Sequence, residues 1–298
     1  MTELYLLDRN IIDLMNKHNN SSNIPEPNRI DMLNKLKALD IKGNTFSPLL
    51  SIIEGKTHKK LDSNGKLEII KTPNKKIRKL IIEDSEIVKS FIKEANTDYD
   101  FLTSNVNKLS KIIYEKETDR LIDKKTKFLD KLQEKIGETK KVEQRENTYY
   151  EFKEIVNEFN EFKNQPFTIV ALMYIFGSQR AEKILKFKSK NFSSYNPIAD
   201  FNHYKTTIQL RFDDRLKDNA NIHFISLDSD IEFIQQLFHP NNAKISSSTN
   251  YTNTLAIEWT INKNFLQSEI PETKGELNNQ ELFYSCFQDL YGYDARVS

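Results

Sequence analysis

Leu4-Tyr5-Leu6-Leu7-Asp8-Arg9-Asn10, followed by Ile11, Ile12, Leu14 and Met15, opens the chain. Four consecutive apolar residues suit a short strand buried on both faces, the habit of parallel sheets. The apolar positions after Asp8 recur at helical spacing, so the reading is strand, acid, helix. The same order returns late in the chain. Ile222 to Leu227 reads as a strand ending at Asp228, and Ser229-Asp230-Ile231-Glu232 is a capping-box pattern opening a helix with Phe233, Ile234, Leu237 and Phe238. Strands alternating with helices predict an α/β fold with a central parallel sheet.

Between these junctions the chain divides by composition. Residues Asn19 to Asn28 are a polar loop, and Ile30 to Leu39 a helix that stops near Gly43. Ser47-Pro48 is an N-cap followed by a first-position proline, and its helix runs through Leu49, Leu50, Ile52 and Ile53 to Glu54. From Lys56 to Lys79 nine residues are Lys or Arg against the acids Asp62 and Glu68, with Asn64-Gly65 as a hairpin turn. Residues 85–163 are charge-dense and helical, with narrow apolar stripes. Within 110–163 the charges balance at 13 basic and 13 acidic, so that stretch is no simple phosphate-binding surface. Phe167 to Phe187 is a buried helix interrupted at Gly177-Ser178. Asn196-Pro197 opens another helix, with Asp200 in its first turn. Residues 241–298 carry no assignable pattern.

The 298 residues hold 44 Lys and Arg against 43 Asp and Glu, and 38% of them are hydrophobic, enough for a real core. The lone Cys286 excludes a disulfide framework and a cysteine-based zinc site. The five His do not cluster at ligand spacing, and there is no glycine-rich phosphate loop. No apolar run approaches the roughly 20 residues of a membrane span. The N-terminus lacks a signal-peptide pattern, so a cytoplasmic location without membrane contact is expected.

The chemistry rests on the acids. Ligands of open parallel sheets bind beyond the carboxyl ends of the strands. Asp8 and Asp228 stand there if both strands share one sheet. Glu54 follows Ser47 by seven residues and Ser51 by three, so these polar groups share one helical face. Carboxylates converging without basic partners repel one another unless a cation neutralises them. Oxygen-only ligation suits Mg²⁺ or Mn²⁺, which can activate water for in-line phosphodiester displacement.

Leu6-Leu7-Asp8-Arg9-Asn10, Ser47-Pro48-Leu49-Leu50-Ser51-Ile52-Ile53-Glu54, Ala199-Asp200 and Phe224-Ile225-Ser226-Leu227-Asp228-Ser229-Asp230 together resemble, in order and in context, the four acidic motifs of PIN-domain nucleases. The resemblance covers roughly residues 1–60 and 165–240. It implies a PIN-like three-layer core interrupted by a charged helical insertion at 85–164. A basic hairpin or arm at 61–84 and a C-terminal extension at 241–298 complete the expected organisation. It implies a metal-dependent endoribonuclease, of the kind found among bacterial toxins and defence effectors. Asp8, Glu54, Asp200 and Asp228 would be catalytic and would hold Mg²⁺ or Mn²⁺, with Asp230 as an auxiliary ligand. Asn10 and Ser226 would orient carboxylates or water. Asp98, Asp100, Asp213 and Asp214 compete with Asp200 for the third position.

The basic residues Lys56, Lys59, Lys60, Lys75, Lys76, Arg78 and Lys79 are the candidate RNA-backbone contacts. Residues 85–164 are a candidate surface for self-association or a regulatory protein. The rival readings are a catalytically inactive PIN-like scaffold that binds nucleic acid or protein, and a helical interaction module whose acids are all caps.

Overall fold

The computed structural model describes residues 2–61, 67–115, 122–138, 141–189, 192–211, 220–248, 253–273 and 278–293. The chain forms two compact units, one of Met1–Thr118 with Lys205–Ser229, the other of Asp119–Tyr204 with Asp230–Ser298.

The first unit begins β1 (Thr2–Leu7), α1 (Arg9–Asn19), α2 (Pro27–Leu39), β2 (Asn44–Ser47) and α3 (Leu49–Glu54). An antiparallel hairpin follows, β3 (Thr57–Leu61) with β4 (Leu67–Lys71), whose turn lies outside the described residues. Then come α4 (Asn74–Phe91), β5 (Asn96–Thr97), α5 (Tyr99–Ser104) and α6 (Val106–Glu115). The second unit holds α7 (Ile122–Ile136), α8 (Val142–Glu158), α9 (Pro166–Ile175) and α10 (Gln179–Leu185). It also holds the beginning of α11 (Tyr195–Arg211), whose end returns to the first unit with β6 (Ala220–Ile225). The second unit closes with α12 (Ser229–Leu237), the hairpin of β7 (Phe238–Ser248) and β8 (Asn253–Ile261), α13 (Lys263–Glu269) and α14 (Asn279–Tyr291).

In the first unit a four-stranded parallel sheet runs in the order β5-β2-β1-β6. Successive strand residues point to opposite faces, and β1 buries both. Tyr5 and Leu7 join Ile11, Leu14 and Met15 of α1, Leu36 of α2 and Val88 of α4 on one side. Leu4 and Leu6 meet Leu50 of α3 and Leu210 of α11 on the other. The result is the expected α/β fold, a parallel sheet between helices.

Residues 85–115, expected in a helical insertion, fall in the first unit, and 165–204 and 230–240, expected in the core, fall in the second. Helix α4 carries the buried stripe Ile77, Ile81, Asp84, Val88 and Phe91, and its two halves serve two clusters of this unit. Ile77 and Ile81 pack with Leu102 of α5 and Ile113 of α6, so residues 85–115 belong with the sheet.

The second unit is built on aromatic rings. Phe128 packs against Phe159, Phe162 and Phe167 at centroid distances of 5.5, 5.6 and 5.8 Å. The apolar stretch 167–187 breaks into α9 and α10 at Gly177, whose φ of +87° suits a residue without a side chain. A Cβ there would also come within 2.9 Å of Arg145 Nη2. Ser178 caps α10 by accepting from Ala181 N at 3.2 Å. Strands β7 and β8, which lie mostly within the stretch without pattern from 241, pair as a long antiparallel hairpin, and Phe238, expected in the preceding helix, opens its first strand. Among the described residues no helix is long and apolar enough to cross a membrane.

Candidate functional site

The strand order places the crevice. From β1 the chain builds outward to β2 and β5, then returns to add β6 on the other side. The order reverses between β1 and β6, where open α/β sheets admit ligands at the carboxyl edge. Asp8 stands at this point. Its backbone N–H donates to Ile225 O at 3.0 Å, extending the ladder, and its side chain caps α1.

The buried Asp8 carboxylate is fixed from three directions. Oδ1 accepts from Arg9 N at 2.8 Å; Oδ2 accepts from Asn10 Nδ2 at 2.7 Å and Ser226 Oγ at 2.5 Å. Asn10 Oδ1 accepts from Leu227 N at 3.0 Å, and Ser226 Oγ from Asp228 N at 2.9 Å. Asn10 and Ser226 thus tie Asp8 to the turn carrying Asp228, itself half-buried. Strand β6 stops at Ile225, so Asp228 is reached through this turn and not from the strand directly.

Glu54, the last residue of α3, brings a carboxylate oxygen within 4.8 Å of one from Asp8. Burial and, next, the Asp8 charge push Glu54 up to about 7, while Arg9 acts in the opposite direction. Its Oε2 is buried and has no hydrogen-bond partner. Helix α3 starts at Leu49 with Pro48 at the cap position, one residue later than the sequence suggests. Ser47 ends β2, accepts from Leu49 N at 3.2 Å and donates to Asp98 Oδ2 at 2.5 Å. Asp98 directly follows β5, so all four strands present an acid or hydroxyl at or just past their carboxyl ends: Asp8, Ser47, Asp98 and Ser226. Burial pushes Asp98 up to about 6 against the Ser47 hydrogen bond, and its Oδ1 is buried without a partner.

Behind this edge lies an ion pair that the sequence reading did not find. Arg9 Nη1 donates to Asp84 Oδ1 at 2.9 Å, to Asp84 Oδ2 at 2.7 Å and to Ser51 Oγ at 3.1 Å. Ser51 donates to Asp84 Oδ2 at 2.8 Å. Asp84 is 1% exposed, and its burial raises its pKa despite Arg9 and Ser51. The signal was present: Asp84 falls in register with Ile77, Ile81, Val88 and Phe91, an acid on an apolar stripe.

The remaining expected residues fall elsewhere. Asp200 and Asp230 belong to the second unit, where their carboxylate oxygens lie within 4.8 Å of each other and Lys186 Nζ is 3.7 Å from Asp230. Asp200 sits in the second turn of α11, because that helix starts at Tyr195. Asp100 is exposed in the first turn of α5, 3.8 Å from Lys89 Nζ. Asp213, Asp214 and the side chains of Lys59 and Lys60 lie outside the described residues.

Lys56 is half-buried just past Glu54. Lys75, Lys76, Arg78 and Lys79 are exposed on α4. They precede Asp84 by five to nine residues, roughly 8–14 Å along the helix. A Cβ at Gly55 would come within 2.7 Å of Leu80 Cδ1, so α4 approaches the end of α3 where only glycine fits without displacement.

Comparison with protein-family models, with curated proteins and with solved structures finds no match for this chain.

Proposed function

We propose that the carboxyl edge of the sheet is the centre of a PIN-like, divalent-metal-dependent ribonuclease. The observation that carries this reading is the pairing of Glu54 with Asp8: two carboxylates pressed together, one with an oxygen buried and unpartnered. Such an arrangement opposes folding once both carboxylates are ionised, and a cation relieves it there. The donor set fits Mg²⁺ or Mn²⁺, because it is all oxygen and because Glu54 Oε2 and Asp98 Oδ1 have no hydrogen-bond donor. Asp8 and Glu54 would hold the ion directly, and Asp98 and Asp228, on the same sheet edge, would reach it through bound water. A divalent ion there supplies Lewis acidity toward water and phosphate.

The protein's own groups prepare the site. Asn10 and Ser226 lock the Asp8 rotamer, so it loses little freedom on binding. Ser47 orients Asp98. Lys56 and the basic residues of α4 would attract the nucleic-acid backbone. Single-stranded RNA is the proposed substrate, since its scissile phosphate is accessible.

The test is cleavage of single-stranded RNA with Mn²⁺, with EDTA, and by Asp8→Asn. Wild type should cut only with the metal, and the variant should not cut. An Asp8→Asn protein as active as wild type would remove Asp8 from the mechanism and this reading with it.

A further inference from the structure

We propose that Arg9 is a substrate-binding residue of this edge, a phosphate clasp held in place by Asp84 and Ser51. The inference rests on the nuclease reading for the identity of the anion, and on the geometry of one guanidinium for the rest.

An arginine that only neutralises a carboxylate commonly meets it two-pronged, with two nitrogens on two oxygens. Arg9 does otherwise. A single nitrogen, Nη1, takes both Asp84 oxygens and the Ser51 hydroxyl. Nε reaches only a loose ion pair with Asp13 Oδ1, at 3.6 Å. Nη2 makes no hydrogen bond among the described residues and is not one of the buried unpartnered atoms, while the side chain is 36% exposed. Nη2 is therefore the arm with no protein partner among the described residues, Nε is held only loosely, and the group is anchored through Nη1.

Position agrees with this role. Arg9 follows Asp8 directly, and its Ser51 partner lies one turn before Glu54 on α3. The anchor is costly by design: Asp84 is an acid on the apolar stripe of α4, where an aliphatic residue would pack without an ion pair. Its presence is accounted for if the guanidinium must be held at one place. A pre-held arginine gives up little side-chain entropy when it meets an anion.

The experiment separates a phosphate contact from a mere counter-ion. Binding of a short single-stranded RNA is followed by fluorescence anisotropy in EDTA, beside a thermal melt of each protein. Asp84→Asn keeps the guanidinium but loosens its anchor, so it should bind about three-fold more weakly than wild type, and it serves as the background for the double variant. The double variant Arg9→Gln/Asp84→Asn leaves no buried charge bare, so it should fold, yet bind about ten-fold or more weakly, the loss of one charge-assisted contact. Arg9→Lys preserves a cation for Asp84 but gives up the fork, and should also bind about ten-fold more weakly. Wild-type affinity in the double variant, or in Arg9→Lys, would make Arg9 a counter-ion only and overturn the proposal. Failure of the wild type to cleave with Mn²⁺ would strike the nuclease reading instead and leave this comparison intact.

Discussion

Both units bury charge, and the sheet edge of the first handles it differently from the α9–α10 break of the second. In the second unit Arg145, 8% exposed on α8, donates through Nη1 to Phe176 O at 3.1 Å and to Asn279 Oδ1. Asn279 Nδ2 returns to Phe176 O at 3.0 Å and Pro271 O at 2.7 Å, closing a network around the α9–α10 break. Tyr149 and Lys153 converge on Asp289 at 2.6 and 2.7 Å. Donors meet acceptors here, in the buried network through Arg145 Nη1 and at the surface around Asp289, although Arg145 Nε is itself buried without a partner. In the first unit Glu54 faces Asp8, like against like, and two carboxylate oxygens are buried without a donor. Like-charge burial needs a relief that complementary burial does not, which is why the two places should respond differently to substitution.

The largest effect should come from stripping a buried pair of one partner. Arg9→Ala leaves Asp84 bare and should cost roughly 3–5 kcal/mol by urea denaturation, with most of it restored by adding Asp84→Asn. A loss below about 1 kcal/mol would mean that water already serves Asp84. Arg145→Met should come next, at about 2 kcal/mol, because Asn279 Oδ1 loses its donor.

Removing charge at Glu54 should have the opposite sign. Its pKa is raised from 4.5 to about 7, so the folded protein binds this proton more tightly than the unfolded chain. The resulting stabilisation is fully present below pH 4.5, fades as pH rises, and is lost above about 7, where Glu54 ionises against Asp8. Without divalent ions Glu54→Gln should therefore match wild type near pH 4 and exceed it at pH 8 by about 1–2 kcal/mol. Equal melting temperatures at pH 8 would show that the two acids do not repel.

The smallest effect belongs to α4. No acid occupies its first turn, and Lys75 and Lys76 stand at the positive end of its dipole. Replacing both with Gln should raise stability by about 0.3 kcal/mol each, while RNA binding becomes weaker and less salt-dependent. An unchanged salt slope would place the backbone path elsewhere.

How much of this was legible follows from side-chain pattern. Strand β1 declared itself, because both faces are buried and Leu4 to Leu7 are continuously apolar. The Asp8, Asn10 and Ser226 motifs were readable because each falls within a few residues of such a strand. Strand β5 was not: Asn96 and Thr97 are polar and join the sheet through backbone pairing with Thr45 and Phe46. That hid Asp98 as an acid at a strand end, so it stood only as a competitor to Asp200, beside a conspicuous Asn-Pro pair. Asp84 was overlooked for a different reason. Its place on the apolar stripe of α4 was a local signal, but its partner Arg9 is 75 residues away and no local pattern names that partner. The β7–β8 hairpin escaped because its Asn, Ser and Thr residues read as loop.

The central claim is that the acids of the sheet edge form one cation site. Mn²⁺ binding by isothermal titration calorimetry, at pH 8 on wild type, Asp8→Asn, Glu54→Gln and Asp200→Asn, tests it most directly. The account predicts one Mn²⁺ site in wild type, lost or weakened at least about ten-fold in Asp8→Asn and Glu54→Gln, and retained in Asp200→Asn. Binding undiminished in Asp8→Asn, or abolished by Asp200→Asn alone, would contradict it.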